Sequence, residues 1–150
     1  MSLKERINND LKTALLGGNR FKGEVLRNLK SVILNEEVAQ NKRDEGLDDS
    51  AIEQIVAREI KKRNESATIY DGANRPELSE NERAEAAVLV EYLPTQLSEA
   101  EILATIAKTI DGLGVSGPSA MGQVIGAVKK QLGNSADGAQ IAQLVKKALQ

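Results

Sequence analysis

The sequence predicts an all-α protein, a four-helix N-terminal unit followed by a small three-helix C-terminal unit. The residue palette points there first. Of the 150 residues 41% are hydrophobic but only 2% aromatic, so a core must be built from Leu, Ile, Val and Ala, a composition that suits helices better than a β-sandwich. Apolar residues also recur with a period of 3.6 in seven segments, and none alternates convincingly as a strand. Finally, Ser followed three residues later by Glu, the capping-box pattern, stands before four of these segments, at Ser2/Glu5, Ser50/Glu53, Ser79/Glu82 and Ser98/Glu101.

The first helix carries Leu3, Ile7, Leu11, Ala14 and Leu15, and Gly17-Gly18 stops it. The second places Phe21, Val25, Leu26, Leu29, Val32 and Ile33 on one face and is expected to fray into the polar stretch Gln40 to Gly46. The third has Ile52, Ile55, Val56 and Ile60 and runs to about Tyr70, with Gly72 as the break. The fourth, opened by Ser79, carries Ala86, Leu89, Val90 and Leu93 and ends at Pro94. The fifth shows Ile102, Ile106 and Ile110, with Gly112 and Gly114 as stops. The sixth shows Met121, Val124, Ile125, Val128 and Leu132, and the seventh Ile141, Leu144, Val145, Ala148 and Leu149.

A shift in composition sets the domain boundary at Pro94. Residues 1–94 hold 15 of the 20 Lys/Arg and 18 of the 22 Asp/Glu, whereas 95–150 are rich in Ala and Gly and sparsely charged. A three-helix unit of the second size is marginal alone, and some packing against the first is expected.

Composition also limits function. A formal net charge of -2 and a pI near 5.4 give no global attraction to nucleic acid, so any such binding must come from a local patch. The chain has no cysteine and no histidine, which removes disulfides, thiolate nucleophiles, His-ligated metal sites and the commonest general base. No metal or cofactor is expected, and the acidic residues are expected on exposed helical faces. The start "MSLKERINND" has charges where a secretory signal would be apolar, and no apolar run approaches bilayer length. A cytoplasmic protein with no membrane partner is the expectation.

The stretch "EIKKRNESATIYDGANRPEL", Glu59 to Leu78, overlays two signals. At 100° per residue, Arg58 and Lys61 fall opposite the apolar arc of the third helix, Lys62 falls at its border, and Arg63 falls inside it with Glu59, Ser66 and Tyr70 on its side. Arg58, Lys61 and Lys62 form either a plain solvated face or an anion-binding surface. Arg63 reads as a structural ion pair with Glu59 or with a carboxylate of the fourth helix such as Glu85, or alternatively as a functional anchor. A lone buried guanidinium would be costly, so a partner is expected.

That run, together with "NERAEAAVLVEYLPTQLSEAEI" and "MGQVIGAVKKQLGNSADGAQIAQLVKKAL", strongly resembles the YqeY-like family of small bacterial proteins. The C-terminal portion is similar to the tail domain of GatB, a subunit of the glutamine-dependent tRNA amidotransferase. The resemblance covers essentially the whole chain and rests on the ordered combination of K-K-R-x-E-S, R-x-x-L, Y-L-P-x-Q-L and M-G-x-x-x-G. It implies a helical two-part fold and, by way of the GatB tail, engagement of tRNA. It also carries the label of a carbon–nitrogen ligase with glutamine as amido-N-donor, with an amidotransferase or aminoacyl-tRNA machinery protein as a possible partner.

The residues themselves argue against an autonomous amidotransferase. Glutamine hydrolysis needs an activated Cys or a Ser in a Lys/Ser network, yet the serines here sit mainly at helix caps. "GVSGPSAMG" lacks the Lys-linked pattern, and "GQVIGAVKK" lacks the spacing and Ser/Thr of a phosphate loop. Gly122 and Gly126, one turn apart on the sixth helix, indicate close packing of another helix or the approach of an RNA backbone. Lys129, Lys130, Lys146 and Lys147 are candidate phosphate ligands, and they also suit the helix C-termini by their charge. The expected function is a non-catalytic, tRNA-associated accessory module. A component of glutamine-dependent amidation and a protein-binding adaptor docking through the third and fourth helices are the alternatives.

Overall fold

A computed structural model describes all 150 residues, Met1–Gln150, and contains α-helices and short 3₁₀ turns without strands. The helices are α1 (Leu3–Leu16), α2 (Arg20–Ala39), α3 (Asp49–Gly72), α4 (Pro76–Val90), α5 (Glu99–Leu113), α6 (Met121–Leu132) and α7 (Gly138–Ala148). The chain forms two compact units, Met1–Leu93 and Pro94–Gln150.

In the N-terminal unit the predicted apolar faces converge on one core, where Ile7, Leu26, Leu29, Ile33, Ile52, Ile55, Val56 and Leu89 are almost fully buried. Its lower end is locked by polar groups. The Lys4 ammonium lies 2.8 Å from a carboxylate oxygen of Glu37, itself 1% exposed, and Asp49 accepts the Leu3 N–H at 2.9 Å. Between α2 and α3 the chain does not fray as the sequence predicts. Lys42 N–H donates to the Glu37 carbonyl, Gly46 N–H donates to the Lys42 carbonyl, and Leu47 is buried. Gly46 takes φ +79 beside Glu37 and Lys4, a backbone conformation that a side chain there would strain.

Elsewhere in the same core, Tyr92 is buried and its hydroxyl donates to Asp10 at 2.6 Å. Arg6 covers the ring, 4.8 Å from its centroid, and donates to the Glu91 carbonyl. Burial first, and the neighbouring Asp10 second, push the Tyr92 phenol well above the ordinary tyrosine range.

Two of the four predicted capping boxes form, at Ser2/Glu5 and Ser98/Glu101. The other two do not. Asp48 caps α3 by accepting the Ala51 N–H, which leaves Ser50 inside the first turn. Helix α4 starts earlier, at Pro76, whose fixed φ suits the first helical position, so Ser79 lies within the helix and is fully buried. Of the two predicted stops of α5, Gly112 lies within the helix and Gly114, in the left-handed conformation, ends it.

The C-terminal unit has its own core of Ile102, Ile106, Val124, Val128, Ile141, Leu144 and Val145. A 3₁₀ turn at Pro118–Ala120 leads into α6, and Asp137 caps α7 by accepting the Gln140 N–H.

Candidate functional site

Helix α3 has 24 residues, which makes it about 36 Å long, and it outruns the core it helps to build. Ile60 is the last residue it packs there, and Val88 and Leu89 are the contribution of α4. Beyond them α3 and α4 pair with each other as an arm. Its seam is narrow and polar: fully buried Ala67 and Ser79, part-buried Ser66, Tyr70 and Leu78, and a set of charges.

Arg63 lies in that seam, as helical phase predicts. Its Nε is 3.2 Å from Glu85 Oε2, and an Nη is 3.8 Å from Glu82 Oε2. Neither contact has hydrogen-bond geometry, since Arg63 Nε and Glu82 Oε2 both remain without a hydrogen-bond partner. At the level of Arg63 the seam is therefore held by charge rather than by directed bonds. Of the two partners the sequence indicates, Glu85 is the one that meets Arg63, and Glu59 does not. Glu59 is buried and takes the Lys62 ammonium at 3.2 Å. With Glu37 and Glu59 both buried, the expectation that acidic residues stay on exposed faces is corrected. Each is held by a lysine that reaches in from the surface.

At the arm's tip, Arg83 clasps Asp71 and donates to the Ser79 hydroxyl. The Arg83 hydrogen bond, with a further one from Ser79, holds the Asp71 carboxyl below its ordinary range. Arg75 does the same to Glu77 across the turn. Nothing in the sequence signals the Asp71–Arg83 clasp except the presence of both charges. Arg58 and Lys61 are exposed on the outer face of α3, while Lys62 is committed to Glu59. The three cations thus do not form one equivalent set.

In the C-terminal unit Gly122 and Gly126 sit on the exposed face of α6, and no atom lies within 4 Å of where a Cβ would stand on either. No other helix of the C-terminal unit packs closely on these glycines. Lys129 and Lys130 are exposed in the last turn of the same helix and, at 100° per residue, continue the side that the two glycines open. The Lys129 side chain passes over Gly138, its Cε 3.2 Å from the Cβ position there. Lys146 and Lys147 are exposed in the last turn of α7. The chain turns back between α6 and α7, so the two lysine pairs stand toward opposite ends of the helix pair, on the order of 15 Å apart. The unit carries five lysines against four acids. Between α5 and the end of α7 an open groove is lined by Leu103, Ile106, Ile110, Asp111, Val115 and Ala148.

A family model described as "Yqey-like protein" matches residues 4–149. The chain is also 33% identical over 113 residues to Altered inheritance of mitochondria protein 41, mitochondrial, of Lachancea thermotolerans. That match takes in 73% of the chain but only 59% of the length of the yeast protein.

Proposed function

The chain belongs to the YqeY-like family, and on that premise we propose that it is a non-catalytic helical accessory module that associates with tRNA through its C-terminal unit. The observation that carries this reading is the open face of α6. Two glycines in a helix cost about 1 kcal/mol each relative to alanine, and no other helix of the C-terminal unit approaches them within contact distance. A smooth backbone surface that ends in exposed Lys129 and Lys130 suits a sugar-phosphate chain. No aromatic residue follows Tyr92, so recognition relies on phosphates and shape rather than on stacking against unpaired bases.

The test replaces Lys129, Lys130, Lys146 and Lys147 together with Gln and measures binding of total tRNA at two salt concentrations. All four are exposed, so the fold should be retained. Weaker binding with a flatter salt dependence is expected, because each lost phosphate contact removes somewhat less than about 1 from the slope. A greater loss from replacing Arg58, Lys61 and Lys62 would move the site to α3. No salt-dependent binding by the parent chain would sink the reading.

The adaptor reading is supported by a different observation, the α3–α4 arm that continues past the core and exposes Ile69 near its tip. If tRNA is not bound, a protein partner of that arm takes its place. A part in glutamine-dependent amidation rests on the family resemblance alone. The chain offers no Cys or His for it, and ammonia release from glutamine that follows the protein through purification would be needed to support it.

A further inference from the structure

The turn between α1 and α2 is exposed at every position from 15 to 21. Leu16 shows 84% of its surface, Leu15 47%, and Phe21, the chain's single phenylalanine, 39%. The sequence places Leu15 and Phe21 on core faces, and the structure corrects both. Gly17 caps α1 and Gly18, at φ +77, makes the left-handed turn, so the tip is tight and convex. Its shape is set by Gly23, whose missing side chain leaves room for Leu15: the Cδ2 of Leu15 lies 2.9 Å from the Cβ position there. Leu15 is thereby laid along α2, and Leu16 and Phe21 face outward.

The same stretch has a charge that its unit lacks. Residues 11–23 hold Lys12, Arg20 and Lys22 and no acid, whereas in residues 1–94 acids outnumber bases by three. Lys12 and Arg20 are exposed, and Lys22 lies 3.5 Å from Glu91.

We propose that this tip docks on an anionic lipid surface, with Leu16 and Phe21 entering the headgroup layer and the exposed Lys12 and Arg20 facing the acidic headgroups, while Lys22 stays with Glu91. A convex apolar point flanked by two exposed cations matches a sheet of negative charge lying over an apolar layer, whereas a surface that receives a partner helix is a groove. No helix is long and apolar enough to cross a membrane, and surface docking needs none. Each cation brought to such a surface raises binding about fivefold.

The test is sedimentation of the full chain with vesicles of phosphatidylcholine containing about a quarter phosphatidylserine, against vesicles of phosphatidylcholine alone. Binding to the first and not the second is expected, with about a tenfold loss in Leu16→Glu and in Phe21→Glu. Because the chain has no tryptophan, Leu16→Trp gives a single reporter: its emission should move to the blue on the anionic vesicles, while that of Ile69→Trp should not. Replacing Lys129, Lys130, Lys146 and Lys147 with Gln should leave vesicle binding in place, which separates this surface from the proposed tRNA contacts. Equal sedimentation of the tip variants, an unshifted Leu16→Trp spectrum, or loss of binding in the C-terminal lysine variant would each overturn the proposal.

Discussion

Arg63 Nε lies 3.2 Å from Glu85 Oε2 across the α3–α4 seam, about one turn past Ile60, the last apolar residue that α3 gives to the core. Beyond that level the arm has little large apolar surface to bury, so opposite charges hold the two helices in register. Arg63→Ala should lower the melting temperature clearly more than Lys61→Ala. It leaves Glu82 and Glu85 facing each other without their cation, for a cost of about 1–2 kcal/mol at this partial burial. Lys61 is exposed, and its loss should stay within about 0.5 kcal/mol. Equal melting temperatures would show that the seam does not depend on Arg63.

A stronger effect is expected at the other end of the unit. Glu37 is 1% exposed, and Lys4 supplies both of its side-chain hydrogen bonds, at 2.9 and 2.8 Å. Lys4→Ala strands a buried carboxylate and should destabilise by about 2–4 kcal/mol, and adding Glu37→Gln should recover part of that loss. Urea denaturation of the two variants decides it. A Lys4→Ala midpoint equal to the parent's would mean that Glu37 finds another partner.

Tyr92 predicts an alkaline limit to stability. Its folded-state pKa is raised above the value of an unfolded tyrosine, about 10. Below that value the phenol is protonated in both states and its contribution to stability is fully present. Above it the unfolded chain gives up a proton that the folded chain keeps, so stability falls as pH rises. Melting temperature should decline from about pH 10 upward, and Tyr92→Phe should flatten that decline at the cost of about 1 kcal/mol at neutral pH. Parallel pH profiles for the two chains would remove Tyr92 as the cause.

The division at Leu93 and Pro94 leads to a proposal for proteolysis. With two separate apolar cores, the units should behave as domains, and an early cut should fall between Thr95 and Ser98, where the connecting segment is largely exposed. The stretch from Gln40 to Gly46, largely exposed as well, is the alternative early site, since both stretches carry backbone hydrogen bonds to residues outside them. A first cut inside α3 would contradict the expectation.

Helices were legible because period 3.6 is a local signal, and the inward position of Arg63 followed from that same phase. Other features depend on residues far apart in the chain. Tyr92 and Asp10 are separated by 82 positions and Lys4 and Glu37 by 33, and no spacing rule pairs them. Local rules also competed. Asp48 and Ser50 both fit the start of α3, and the carboxylate two residues earlier took the cap. Pro76 started α4 ahead of the Ser79/Glu82 pattern. At Phe21 the apolar phase was right for a buried face, but the first turn of α2 lies at the exposed tip. The glycines of α6 show the reverse limit: sequence flags that their cost must be offset, but only the structure shows that no helix of their own unit packs against them.

Those glycines give the prediction that separates stability from binding. At Gly122 and Gly126 a Cβ meets no atom within 4 Å, and both lie inside α6 with no positive φ. Alanine at either position therefore fits without strain and should raise stability by up to about 1 kcal/mol, through better helix propensity and a less flexible unfolded chain. If the face is open for a nucleic-acid backbone, the same substitutions push the ligand away from the helix, and larger Gly122→Leu and Gly126→Leu side chains push it further. Affinity for tRNA should then fall in the order Gly, Ala, Leu while the melting temperature stays at or above that of the parent. A purely structural role for the glycines would instead lower stability along that series. Unchanged tRNA affinity in both leucine variants, with the fold intact, would take the α6 face out of the binding surface and leave Lys146 and Lys147 as its remaining candidates.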